Sequence, residues 1–352
     1  MKNVLILFGG KSSEYEVSLK SAYSVICNIP SDRYTVTLMG ITKDGRWLLF
    51  EGDVEEIPDG RWLNGNCTPA MISTDFGNGN VIVFRENGIE KIHTDVCFPV
   101  LHGKNGEDGT VQGLLELAGI PYVGCHTLSS SMCMDKAVTN MTADYAAIPQ
   151  AKWLGTTDTD YYADKDAFVS ACAEKLGLPV FIKPANAGSS VGVSKAKTKE
   201  EIYTAMDIAF KEDSKVVAEE NIDGREIECA VMGNSNPVAS VLGEIKPASE
   251  FYDYEAKYVS NSSVLCIPAD LPAETADEIR AYAVKAYRAL GCAGLSRVDF
   301  FVRNSDGSVL FNEINTLPGF TPISMYPKMF DAYGIPYAEL IDRLIKLALE
   351  DK

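Results

Sequence analysis

The stretch from Gly294 to Met325 constrains the fold most, because its acid and amide side chains are spaced in a way that only paired strands bring together. Val298 to Arg303 and Val309 to Asn312 are β-branched, aromatic or aliphatic runs. The polar Asn304-Ser305-Asp306-Gly307-Ser308 separates them, which predicts an antiparallel hairpin. A turn centred near Asp306 sets Asp299 roughly opposite Glu313, and the period of two puts Asn315 on the face of Glu313. Like charges across a ladder destabilise it, so such a pair asks for a cation between the strands or a shifted pKa. The donors are all oxygen, which suits Mg²⁺ shared with phosphate groups, and Arg297 next door would face the same anion. A solvated acidic hairpin with Arg297 as a surface partner is the plainer account of the same residues. Asn315-Thr316-Leu317-Pro318-Gly319-Phe320-Thr321 follows directly, and a Gly/Pro turn there can present backbone N–H groups to a developing charge.

The 352 residues suffice for two or three domains, and the net charge of −17 disfavours broad nucleic-acid or anionic-membrane binding. An anionic substrate would therefore be held by a few local cations. No apolar run reaches membrane-spanning length, and Met1-Lys2-Asn3 leads straight into a strand, so a cytoplasmic location is expected. Nine cysteines without a C-x-x-C pair point to free thiols in a reducing compartment.

Val4-Leu5-Ile6-Leu7-Phe8, ending in Gly9-Gly10 and followed by a helical pattern from Val17 to Ile26, predicts a buried parallel strand feeding a helix. Gly10-Lys11-Ser12 is not a P-loop, since Leu5 stands where that motif needs glycine. Strands are expected at Tyr34–Ile41, Val96–Leu101 and Ile120–Gly124, and a helix at Thr110–Ala118. His102 opens a Gly-rich loop at the carboxyl end of one of these strands, where ligands bind; a structural hydrogen-bonding role is the alternative. Residues 51 to 93 look like an insertion with no readable chemistry. One helix is expected from about Ser129 to Ala146. A strand ending in Lys183-Pro184 leads into Ala185-Asn186-Ala187-Gly188-Ser189-Ser190-Val191-Gly192-Val193, a loop able to fold over phosphates or, more simply, to act as a linker. Lys215–Glu220 and Ile227–Met232 are further strands. Phe251 to Tyr258 is a lid candidate, and helices are expected over Ala273–Leu290 and Pro336–Leu349.

A lysine before a Gly/Ser loop, acids on the next strand pair, and a late D…E-x-N hairpin, in that order, resemble the ATP-grasp superfamily. Within it the resemblance is to D-alanine–D-alanine ligase and its relatives that join D-serine or D-lactate. The carrying segments are Gly9 to Ser18, His102-Gly103 through Glu107-Asp108-Gly109, Met134-Asp135-Lys136, Lys183-Pro184 with Gly188 to Gly192, Phe251 to Tyr258, Arg297-Val298-Asp299, and Asn312 to Gly319. The resemblance implies a mixed α/β and α+β chain: an N-terminal parallel α/β domain (1–126), a small central domain (127–218) and a C-terminal domain with the metal site (219–352), with ATP clasped between the last two. It implies that Lys136, Lys183, Ser189, Ser190 and Lys257 contact ATP phosphates. Glu219, Glu220, Asn221 and Ile222 would meet the adenine region and Glu226 the ribose. Asp299, Glu313 and Asn315 would hold two Mg²⁺ ions, with Mn²⁺ as a substitute. Glu14 would take the ammonium of the first D-alanine, linked through Ser189 to Tyr258, and His102 would help orient it. Ser324 and Met325 would hold the second substrate's carboxylate, and Arg297 and the Gly319 N–H would stabilise the oxyanion. The implied activity is ATP-dependent synthesis of D-alanyl-D-alanine for peptidoglycan precursors by a homodimer, without nucleic acid or membrane. A D-serine acceptor and a non-catalytic ATP-binding regulator are the rival readings.

Overall fold

The computed structural model describes residues 1–75, 80–246 and 264–350. Among these, three sheets carry the fold. The first has the order β6-β5-β4-β3-β2-β1-β7, built from β1 (Lys2–Gly9), β2 (Tyr34–Ile41), β3 (Trp47–Phe50), β4 (Cys67–Ile72), β5 (Asn80–Arg85), β6 (Gly88–His93) and β7 (Val96–Leu101). β1 pairs in parallel with both β2 and β7, which its unbroken apolar run requires, since both faces are covered. Helix α1 (Tyr15–Asn28) follows β1 and α2 (Thr110–Ala118) follows β7, so both enter from the carboxyl ends of parallel strands. Ser18 of α1 accepts from the Gly9 N–H at 2.8 Å and donates to the Val100 carbonyl, which pins those strand ends together.

The 51–93 segment supplies the antiparallel edge of this sheet. Trp62 within it is fully buried, 4.9 Å from Phe8 between ring centroids, and donates to the Tyr15 hydroxyl at 3.1 Å. Its alternation is too short and too polar to stand out in the sequence, yet the segment completes the first core. The strand expected over Ile120–Gly124 reduces to one bridge at Cys97 and Tyr122, because Pro121 has no N–H to continue the ladder.

The second sheet, β10-β9-β11-β8, holds β8 (Trp153–Thr157), β9 (Val180–Pro184), β10 (Ser194–Ala196) and β11 (Lys215–Glu220). The expected domain limit between 218 and 219 falls inside β11, which stays with this sheet to Glu220 through its pairing with β8 and β9. The third, β14-β13-β12-β15-β16, holds β12 (Gly224–Met232), β13 (Val238–Lys246), β14 (Val264–Cys266), β15 (Leu295–Arg303) and β16 (Val309–Asn315).

The helix expected from Ser129 to Ala146 is two, α3 (Thr127–Met134) and α4 (Lys136–Tyr145), broken at Asp135. Asp135 is extended, and its carboxylate caps α4 by accepting from the N–H groups of Ala137 and Val138 at 3.0 and 3.1 Å. Lys215 donates to the same carboxylate at 2.5 Å, which ties the break to β11. After α5 (Asp158–Ala163), α6 (Lys165–Lys175), α7 (Lys199–Ala209) and α8 (Ala273–Ala289), the chain ends in α9 (Met325–Tyr333) and α10 (Tyr337–Leu349). Leu340, Ile341, Leu344 and Ile345 of α10 share one core cluster with Val4, Ile6 and Phe8 of β1, so the two ends of the chain pack as one body. Among the described residues, no helix is long and apolar enough to cross a membrane.

Candidate active site

A cavity of about 780 Å³ opens where the three sheets meet, a size that suits a nucleotide with small co-substrates. One wall is the β12-β15-β16 face. The register sets Glu228 opposite Asp299 and Asp299 opposite Glu313, so three carboxylates lie abreast on adjacent strands. Arg297 and Asn315 form the next pair along. The guanidinium of Arg297 grips Asp299 with two hydrogen bonds of 2.8 and 2.7 Å and lies 3.3 Å from Glu228, while the Asn315 amide donates to Asp299 at 3.0 Å. Burial works against the charge on Arg297, but Asp299 and Glu228 outweigh it and hold its pKa well above the ordinary value. Arg297, Glu228, Glu313 and Asn315 line the cavity, and Asp299 stands in the same row, hydrogen-bonded to Arg297 and Asn315.

The second wall is the four-stranded sheet. Lys183, at the end of β9, points its ammonium to Glu219 on β11 at 2.6 Å, and Asn140 of α4 donates to the other oxygen of Glu219 at 3.2 Å. Burial pulls the Lys183 ammonium down, but Glu219, with Glu313 and Glu226 further off, holds it above its ordinary value. Lys136 reaches the Ala187 carbonyl at 2.7 Å, at the root of the Gly/Ser loop between β9 and β10. In that loop Ser189 and Ser190 have φ of 50° and 61°, a left-handed conformation uncommon for serine. The loop's reward is a contact: the Ser189 hydroxyl donates to Glu14 at 2.5 Å.

Glu14 is the residue just before α1, and its carboxylate is buried against the cavity instead of capping its own helix. Gly103 makes room for it. At φ +69°, a Cβ there would stand 2.5 Å from Glu14 Oε2, so the Gly-rich loop after β7 is shaped around this acid. His102 is buried, with Nδ1 at 3.1 Å from the Leu317 carbonyl and 3.5 Å from Glu107. Burial lowers its pKa, but Glu107 and Glu14 prevail and raise it. Gly319 follows in the same turn. Ser324, just before α9, leaves that helix end uncapped by its side chain and engages Thr321 at 2.8 Å. The first N–H groups of α9, next to Met325, are suited to a carboxylate.

The structure thus brings to one cavity Glu14, His102, Lys136, Lys183, Ser189, Ser190, Glu219, Glu220, Asn221, Ile222, Glu226, Arg297, Glu313, Asn315, Gly319, Ser324 and Met325. Asp299 stands between Glu228 and Glu313 in the same row of strands. Lys257, Tyr258 and the expected lid segment lie outside the described residues. Among the lining residues that the sequence did not single out are Glu228 and Asn140. The alternation Glu226-x-Glu228 on one strand, matching Glu313-x-Asn315 on another, could have revealed the first; nothing in the sequence singles out the second.

Residues 3–125 match the family model described as D-ala D-ala ligase N-terminus, and residues 143–346 the one described as D-ala D-ala ligase C-terminus. The chain is similar to a D-alanine--D-alanine ligase of Acetivibrio thermocellus, 52% identical over 99% of this chain and 96% of that protein. It is also similar to one of Caldicellulosiruptor bescii, 50% identical over 99% and 95%. Among solved structures it resembles the VanG D-Ala:D-Ser ligase from Enterococcus faecalis, with a TM-score of 0.90 and 41% identity over 99% of both chains. The D-alanine-D-alanine ligase from Coxiella burnetii follows at 0.88 and 35%, over 99% and 94%. The fold is therefore the three-part ATP-grasp architecture expected, and the chain belongs to the D-alanine–D-alanine ligase family.

Proposed function

We propose that the protein joins two D-alanines at the expense of ATP, through an acyl phosphate, to give D-alanyl-D-alanine. One observation carries this reading: a single cavity presents a buried carboxylate at Glu14, ammonium groups at Lys136 and Lys183, and the Arg297–Gly319 region. Those are the groups needed, in turn, to hold an amino acid's ammonium, a triphosphate and a developing oxyanion.

In the first step the carboxylate of the first D-alanine attacks the γ-phosphorus and ADP leaves. Glu14 binds the ammonium, with Ser189 fixing the carboxylate's direction, and Lys136 and Lys183 offset phosphate charge. Glu226 and Glu219 to Ile222 hold the nucleoside end. The all-oxygen donors Asp299, Glu313 and Asn315, set in a row of like charges, fit divalent cations, two Mg²⁺ ions in this proposal with Mn²⁺ as a substitute. Such ions would neutralise phosphate oxygens in both steps. For Asp299 to serve, Arg297 must loosen its grip, which would free the guanidinium for the oxyanion. In the second step the amine of the second D-alanine, its carboxylate held near Ser324 and Met325, attacks the acyl carbon. It loses a proton, and phosphate departs while Arg297 and the Gly319 N–H receive the oxyanion. Lys257 and Tyr258 complete the proposal on the phosphate side and over the first substrate. A cytoplasmic homodimer is part of the same reading, and sedimentation of the purified chain tests the dimer.

The VanG likeness favours D-serine as the second reading. A small apolar pocket rejects one added hydroxyl by only about a hundredfold, so selection has to be measured. The protein with ATP, Mg²⁺ and equimolar D-alanine, D-serine and D-lactate should yield mostly D-alanyl-D-alanine by mass spectrometry, increasingly so above neutral pH as the amine deprotonates. A predominance of D-Ala–D-Ser would install the second reading, and phosphate release without any condensed product would remove both.

A further inference from the structure

Helix α1 carries Ser18, Ser21 and Ser24 three residues apart, hence on one face, and Ser21 on that face meets the turn from Leu317 to Phe320. Ser21 is fully buried. Its Oγ accepts from the Phe320 N–H at 3.2 Å and lies 3.1 Å from His102 Nε2. On the far side of the imidazole, Nδ1 is 3.1 Å from the Leu317 carbonyl. A carbonyl only accepts, so Nδ1 bears the hydrogen. In the neutral ring Nε2 is then an acceptor and takes the Ser21 O–H. The bonds run head to tail from the Phe320 N–H through Ser21 and His102 to the Leu317 carbonyl. When the ring is charged, the two lone pairs of the same oxygen accept both N–H groups, so a hydroxyl serves either state. Ser24 extends the clamp: its Oγ is 3.1 Å from the Tyr337 hydroxyl, which donates to the Phe320 carbonyl at 2.8 Å.

We propose that Ser21 is a positioning residue for the ligation step, because it locks His102 to the Leu317–Phe320 turn and so fixes the direction of the Gly319 N–H. The Leu317 carbonyl and the Phe320 N–H are the fixed ends of the turn, and the Pro318–Gly319 peptide between them carries that N–H. Gly319 has no slack on its other side, since a Cβ there would stand 2.8 Å from Ser324 Oγ. The inference rests on the ligase reading above. The hydrogen bonds of Ser21 go to His102 and Phe320 and to none of Glu14, Lys136 and Lys183, so its loss should spare acyl-phosphate formation and slow the attack that follows.

The experiment uses the full chain with ATP, Mg²⁺ and D-alanine, and compares Ser21→Ala, Ser21→Thr and Tyr34→Phe. The last removes a hydroxyl that joins the first sheet to α10 at Asp342, far from the cavity. Ser21→Ala should lower kcat for dipeptide by about a hundredfold while the KM for ATP stays put. Phosphate released per dipeptide should rise above one, as stalled acyl phosphate meets water. Ser21→Thr, which keeps the hydroxyl, should restore the one-to-one ratio, and Tyr34→Phe should keep both rate and ratio. Thermal midpoints confirm that each variant is folded. An unchanged rate and ratio in Ser21→Ala, a slower rate at an unchanged ratio, or the same signature in Tyr34→Phe would overturn the positioning role while leaving the ligase reading intact. A wild-type protein that makes no dipeptide overturns the ligase reading itself.

Discussion

Two buried groups of charge in this molecule look alike in composition and differ in balance. On α10, Asp342 is 3% exposed and receives hydrogen bonds from Arg33 at 2.8 Å and Tyr34 at 2.9 Å, with Lys346 at 2.7 Å. One carboxylate there has two cations and a phenol, and both cations keep more than half of their side chains in water. On the third sheet, three carboxylates stand in one row, and Arg297, 19% exposed, bridges two of them. The first arrangement is complete as it stands and joins the two ends of the chain. The second sets three carboxylates side by side at the wall of a cavity, a costly arrangement that a cationic ligand would relieve on the proposed reading. Counting charges against burial, which residue type alone does not do, is what makes the second group and not the first the proposed cation site.

The largest test of that contrast is activity. Asp299→Asn and Glu313→Gln should each lower dipeptide synthesis by at least about a thousandfold, because each removes a proposed metal ligand. Glu313→Gln should leave the unliganded fold as stable as wild type or slightly more so, since it relieves repulsion within the row, whereas Asp299→Asn should cost stability because Arg297 loses the carboxylate it grips. Rates and circular dichroism on the same samples decide the matter. Full activity in either folded variant would place the metal elsewhere.

A smaller effect should appear in stability with ligand. Mg²⁺ with a non-hydrolysable ATP analogue at about a hundred times its Kd should stabilise the wild type by about 2.7 kcal/mol in a thermal scan, and chelation should remove most of that gain. Glu313→Gln should lose the Mg²⁺-dependent part, whereas Asp342→Asn should keep it. A gain of equal size in Glu313→Gln would mean that the row is not where the cation binds.

How much of this was legible beforehand depends on the range of the interactions. The hairpin register at Asp299 and Glu313 follows from period-two alternation and one polar turn, so it was readable, although a bulge between Asp299 and Phe300 was not. The Gly/Ser loop was readable as a loop, but its meeting with Glu14, 175 residues away, came only through the resemblance. The break at Asp135 was missed because the helical pattern runs through it, and the competing cap draws on Lys215, 80 residues away. Asn140 and Ser21 act through partners brought by other elements, and nothing near them in the chain marks them out.

The smallest predicted effect concerns Asp342. Asp342→Asn should cost about 1–3 kcal/mol at neutral pH, less than the loss of one partner in a fully buried pair, because Arg33 and Lys346 retain hydration when the carboxylate is gone. Burial pushes the Asp342 carboxyl up, but Lys346, Tyr34 and Arg33 together hold it below its ordinary 3.8. A depressed carboxyl contributes stability that is fully present above the unfolded value and disappears as pH falls through the lower folded value. The gap between wild type and Asp342→Asn in urea unfolding should therefore stay constant from neutrality down to about pH 5 and close progressively below 3.8, as the unfolded chain takes up a proton first. The Tyr34 phenol, raised by burial and by this carboxylate, remains neutral throughout the range and adds no slope. A gap that widened on acidification would mean that Asp342 is held against its charge, and the contrast drawn between the two acidic sites would fail at its balanced end.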